Sequence, residues 1–208
     1  AYLESVRQME RELKEGNYLH IHMTYCPYME STEELKTKPT QHSVKELTSL
    51  GLNPDIIVCR TGKEVELSDQ NKRKIAMFCN LISQECVIHN PDCESIYEVP
   101  LVLAAQGLDR IVCGMLGLEL GKSDLTSWKK MVDSMTSDLP VVEIAIVGKY
   151  TEVKDSYLSI TEAIKHAALQ NQHKAKITII SSEDLEVVGA KEMLKNYDGV
   201  IVPGGFGA

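Results

Sequence analysis

Short apolar runs that read as β-strands alternate along this chain with segments whose apolar residues recur at helical spacing. That alternation restricts the fold more than any other feature. Strand-like runs fall at Leu19 to Tyr25, Asp55 to Cys59, Cys86 to His89, Val142 to Val147, Ile177 to Ile180 and Gly199 to Pro203. Helical spacing predicts helices over Leu3 to Leu13, Val44 to Leu50, Lys74 to Phe78 and Ser95 to Gly107, with Pro100 kinking or restarting the last. Further helices are expected around Trp128, from Ser156 to about Leu169, and over about Ala190 to Asn196. The pattern is that of an α/β protein with mostly parallel sheets and helices on their faces.

Two sheets are expected rather than one. Gly114, Gly117 and Gly121 punctuate a change of composition, Ser137-Asp138-Leu139-Pro140 reads as a connector, and a fresh βαβαβ series starts at Val141. An apolar strand opening on a glycine with a helix behind it is how a doubly wound domain begins. The expected division is 1–118, a linker over 119–140, and 141–208.

Composition narrows the function. A net charge of −8 argues against non-specific nucleic-acid binding, and no apolar run approaches the roughly 20 residues that cross a bilayer. The N-terminus Ala1-Tyr2-Leu3-Glu4 has no signal-peptide pattern. Cys26, Cys59, Cys79, Cys86, Cys93 and Cys113 show no Cys-x-x-Cys pair, which reads as reduced structural thiols in a cytoplasmic protein. His20 and His22 share a strand face, where a polar face is expected rather than a metal pair.

The segment Lys36-Thr37-Lys38-Pro39-Thr40-Gln41 carries the most chemistry. It sets two cations, two hydroxyls and an amide at the start of a helix, where free backbone N–H groups and the positive dipole end favour an anion. The lysines suit phosphate oxygens, and Gln41 offers a donor and an acceptor to a polar ring edge. A solvated loop before a capped helix fits the same residues.

The segment also resembles the nucleotide-binding stretch of the CTP synthases. So do Tyr2 to Gln8, Pro54 to Arg60, Lys74 to Asn80, Ser95-Ile96-Tyr97, Val147 to Tyr150 and Pro203 to Gly207. The resemblance implies an amidoligase that phosphorylates UTP with ATP and Mg²⁺, and a class I glutamine amidotransferase that supplies ammonia, with GTP as an allosteric effector. It implies an incomplete doubly wound, P-loop-like amidoligase sheet followed by the start of a flavodoxin-like glutaminase domain. Carried over by position, Lys36, Thr37, Lys38, Pro39, Thr40, Gln41 and Lys74 would hold UTP or the feedback ligand CTP. Glu4 and Phe78 would approach the nucleotide of a neighbouring subunit in a homotetramer, which also stacks into filaments. Arg60, Asp92 and Cys93 would lie at the ATP site. Gly205 would supply the oxyanion-hole N–H, and Phe206 would line the glutamine site.

Each position has a plainer reading. Lys74 lies in a basic run, Arg60 could pair with Asp55 or Glu64, Glu4 could complement its helix dipole, and a glycine turn could be only a turn. No P-loop motif, no Gly-x-Cys-x-Gly elbow and no Mg²⁺-binding carboxylate set is found. The expectation is therefore an internal piece of such an enzyme, without turnover on its own. A non-catalytic UTP/CTP-binding module and an assembly element are the other classes.

Overall fold

A computed structural model describes residues 2–153 and 155–205. They form two compact units, Ala1–Leu125 and Thr126–Ala208. Both are built on three-stranded parallel sheets.

In the first unit, helix α1 (Tyr2–Glu12) precedes strand β1 (Ile21–Tyr25). A small antiparallel hairpin follows, β2 (Tyr28–Met29) and β3 (Glu34–Leu35), joined by a 3-10 turn. Then come α2 (Lys38–Ser49), β4 (Ile56–Thr61), α3 (Asp69–Phe78), β5 (Val87–Pro91), α4 (Val99–Ala105) and α5 (Leu108–Met115). Strand order is β1-β4-β5, with Thr24 opposite Cys59 and Arg60 opposite Asn90.

The central strand explains the apolar run in the sequence. Every β4 residue except Arg60 is buried, because helices cover both faces of the sheet. Period-2 alternation sends Ile57 and Cys59 to a core with Val44, Ile75, Ala76 and Val87. Ile56 and Val58 turn to the opposite face, against Leu103, Leu108, Ile111 and Met115. Burying a side chain of this size contributes about 1.5–3 kcal/mol, so β4 is the anchor of the unit.

Several elements differ from the sequence reading. Ser95 to Gly107 is not one helix. Ser95 and Glu98 form a reciprocal capping box around a 3-10 turn, and α4 restarts with Pro100 in its first turn, where no N–H is needed. Helix α5 was not expected, because Gly114 reads as a break; it follows Gly107, whose φ of 73° reverses the chain. The hairpin 28–35 was also not expected.

The second unit opens with α6 (Thr126–Thr136), followed by β6 (Val141–Gly148), α7 (Leu158–Gln170), β7 (Lys174–Ser181), α8 (Ser182–Val188), α9 (Ala190–Leu194) and β8 (Gly199–Ile201). The first strand is central, in the order β7-β6-β8. Ala145, Val147 and Ile180 form its core with Leu185, Met193, Leu194 and Tyr197. Strand β8 is shorter than Gly199 to Pro203, and α8, capped by the Ser181 hydroxyl, was not expected.

Candidate functional site

Strand β3 runs through Lys36 and Thr37 into α2, so the lysine motif does open a helix. Lys38 and Pro39 are its first two residues and are exposed, whereas Lys36 and Gln41 are partly buried. Proline fits this first turn because its position has no intrahelical N–H bond to lose. Thr37 is the N-cap, but its hydroxyl does not cap; it accepts from the Gln41 side-chain amide at 3.2 Å.

Thr40 faces the other way. It is fully buried, with its Oγ1 3.0 Å from Thr24 Oγ1 and 3.0 Å from the Cys26 thiol. Its hydroxyl therefore fastens the first turn of α2 to β1 and to the residue just after it. The Lys36 N–H donates to the Pro27 carbonyl at 2.9 Å, which closes the hairpin beneath the motif. The helix start is held from below, while Lys36, Lys38 and Gln41 keep some solvent access.

Lys36 is not a free cation. Its Nζ lies 2.5 Å from Glu34 Oε2, and this contact above all holds the Glu34 carboxyl below the usual carboxylate range. Lys74, exposed on α3, lowers it further through its charge. Lys74 and Glu34 line one cavity of about 760 Å³, with Glu30, Glu33, Glu64 and Glu66 also on its wall. Phe78, at the end of α3, is 60% exposed.

Glu4 lies elsewhere. It pairs with Arg7 one turn along α1 at 2.5 Å, which holds its carboxyl below the usual range. The Arg7 side chain sits 3.0 Å from where a Cβ on Gly51 would be. Glu4 is therefore near the C-terminal end of α2, and α2 is about 18 Å long at 1.5 Å per residue.

A second group gathers at the carboxyl ends of β4 and β5, where open parallel sheets commonly hold ligands. Arg60 Nη2 donates to Asp92 Oδ1 at 2.7 Å, rather than to Asp55 or Glu64. Arg60, Asp92 and Cys93 line a cavity of about 450 Å³ with Met23, Asn90 and Ile96. Sequence reasoning missed Asn90, whose buried Oδ1 has no hydrogen-bond partner among the described residues. A polar residue near the carboxyl end of β5 was the available signal.

In the second unit, Pro203-Gly204-Gly205 follows β8 as a loop, and a Cβ on Gly204 or Gly205 would meet nothing within 4 Å. Phe206 lies outside the described residues. Gly148 is different. A Cβ there would stand 2.2 Å from the Tyr157 hydroxyl, which accepts from the Tyr150 N–H at 3.0 Å.

The histidines do not pair. His22 Nε2 is 2.9 Å from Ser43 Oγ, while His20 lies edge-on to Tyr18 and 3.6 Å from Glu10. Among the described residues no three His, Cys, Asp or Glu side chains gather as a metal site, and no helix is long and apolar enough to cross a membrane. All six cysteines are free thiols, four of them buried. Burial pushes Cys79 up to about 11; a hydrogen bond with Cys26, then burial, push Cys59 further.

Fold and site together define a class: a two-unit α/β protein with a cationic helix entry in one unit and a glycine loop after a parallel strand in the other. Residues 1–118 match the family model for the CTP synthase N-terminus, and residues 152–208 match that for class I glutamine amidotransferases. The chain belongs to the CTP synthase family. It is 48% identical over 206 residues to a CTP synthase of Desulfitobacterium hafniense and 47% identical over 212 residues to one of Methanocaldococcus jannaschii. Each match covers 99% of this chain but only 38% and 39% of the relative.

Proposed function

We propose that this chain is part of an enzyme that aminates UTP to CTP at the expense of ATP, with ammonia taken from glutamine. The observation that carries the reading is the entry of α2, where Lys36, Lys38 and Gln41 stand around a helix N-terminus that Thr40 fastens to β1. A triphosphate is suited to dispersed ammonium groups and free backbone N–H groups, and the Gln41 amide to a pyrimidine edge. Lys74 is a further phosphate contact in this reading. Thr37 and Thr40 act by positioning the turn, Thr37 through Gln41 and Thr40 through β1.

Arg60, Asp92 and Cys93 would receive ATP at the strand ends, with Mg²⁺ carried by groups other than these residues. Mg²⁺ supplies phosphate charge neutralisation when bound. Residues 1–118 would be amidoligase, 119–140 a linker, and 141–208 the opening of a glutaminase domain. Its strand order, with the first strand between the second and third, supports a flavodoxin-like reading of that sheet. Gly205 and Phe206 would then serve the glutamine site, GTP would act as effector, and the setting would be cytoplasmic.

Calorimetric titration of the chain with UTP and with CTP tests the reading. Binding should occur and should weaken at least tenfold when Lys36→Ala and Lys38→Ala are combined. Equal binding by the double variant overturns it. A second reading, an assembly element, is favoured by α1, which buries none of its residues and exposes Tyr2 and Met9; Glu4 and Phe78 would then face a neighbouring subunit in a homotetramer or filament. A strictly monomeric chain at high concentration in light scattering counts against it.

A further inference from the structure

Resting on the reading of Lys36 as a phosphate-binding cation, we propose that Glu34 is a built-in competitor for that site: its carboxylate occupies Lys36 in the free chain, and an incoming phosphate must displace it.

The hairpin sets this up. Strand β3 has only two residues, and alternation sends Leu35 into the core at 6% exposure while Glu34 turns outward. The Pro27 carbonyl holds the Lys36 N–H, Tyr28 pairs with Leu35 and Met29 pairs with Glu34, so the backbone from Glu34 to Lys36 is fixed. Only the side chain can yield, and it is 58% exposed. Lys36 pairs with this carboxylate, and Lys74 lines the same cavity and favours its ionised form through its charge, so two of the cations assigned to the ligand act on it.

A carboxylate and a phosphate oxygen accept the same ammonium N–H groups, and two anions crowded at one ammonium repel. Glu30, Glu33, Glu64 and Glu66 share this cavity wall with Lys63 and Lys74, so carboxylates outnumber ammonium groups where an anion would enter. Exposed ion pairs are weak, so displacement is easily reversed. Glu34 therefore lowers affinity without closing the site.

The test is a UTP titration of the full chain carrying Glu34→Gln, which keeps the shape and removes the charge. Affinity should rise roughly two- to fivefold, the range that an exposed ion pair spans. That gain should vanish in a Lys36→Met background, where there is nothing left to compete for. Glu33→Gln, which removes a charge one residue away, should give a smaller gain that survives Lys36→Met. If UTP binds and depends on Lys36 and Lys38 but Glu34→Gln binds no more tightly, the competitor is disproved while the nucleotide site stands. A Glu34→Gln gain that persists in Lys36→Met also disproves it. If wild-type chain binds no UTP, both ideas fall together.

Discussion

The entry of α2 and the glycine loop after β8 are both backbone N–H sites in the proposed enzyme, yet they are built in opposite ways. At α2 the chain is pinned from beneath by Thr40, by the Lys36 N–H and by a hairpin whose Leu35 is in the core. At Gly204-Gly205 no neighbour comes within 4 Å of where a Cβ would be. The first site is held by its own unit. At the second, no packed neighbour crowds either glycine. A backbone site is shaped by what packs behind it, so only the first is pre-organised by residues seen here.

Glycine substitutions give the sharpest break. Gly148→Ala should destabilise the chain by about 3 kcal/mol in urea unfolding, since the new methyl group must push the buried Tyr157 aside and break its bond to Tyr150. Gly205→Ala should change stability by under about 0.5 kcal/mol. Equal costs at the two glycines would erase the contrast.

Next comes Thr40→Val, which keeps the volume and strips the hydroxyl from Thr24 and Cys26. We expect a loss of about 1–3 kcal/mol, together with weaker UTP binding, although the side chain never reaches solvent. If UTP affinity stays at the wild-type level, the pinning has no functional role.

A pH effect should be smaller and should belong to the first unit. Burial holds His22 and His89 below the ordinary histidine value. The unfolded chain then binds more protons in this window, so stability is complete above pH about 6.5 and falls as pH drops through the lower folded values. The melting temperature should decline from pH 7 to 5, less so for His22→Gln, and a flat profile would contradict the assignment.

The smallest effect is one of rate. Under native conditions an alkylating probe should label Cys93 and Cys113 ahead of Cys26, Cys59, Cys79 and Cys86, as read by mass spectrometry. Early labelling of Cys59 would mean that the β4 core opens readily.

Much was legible before any coordinates. The apolar run Ile56-Ile57-Val58-Cys59 read as a strand, and the lysine motif was placed at the start of a helix, as α2 is. What escaped was short or locally ambiguous. Two-residue strands have too few positions to show a period, which hid the hairpin carrying Glu34. Gly114 hid α5, because glycine opposes helix by only about 1 kcal/mol and packing of Ile111 and Met115 outweighs it. Within the lysine motif, residue types suggested an anion site but could not tell that Thr37 and Thr40 are both buried, one bonded to Gln41 and the other to β1.

Local pattern thus determined the parallel α/β plan, the two sheets and the position of the cationic helix entry. Those follow from periodicity and turn chemistry, which act over a few residues. Only tertiary structure decided that Thr40 points into the sheet, that Glu34 and Lys74 meet around one cavity, and that Arg60 chooses Asp92. Such choices depend on partners 16 to 40 residues away, brought near by strand pairing that no short window encodes.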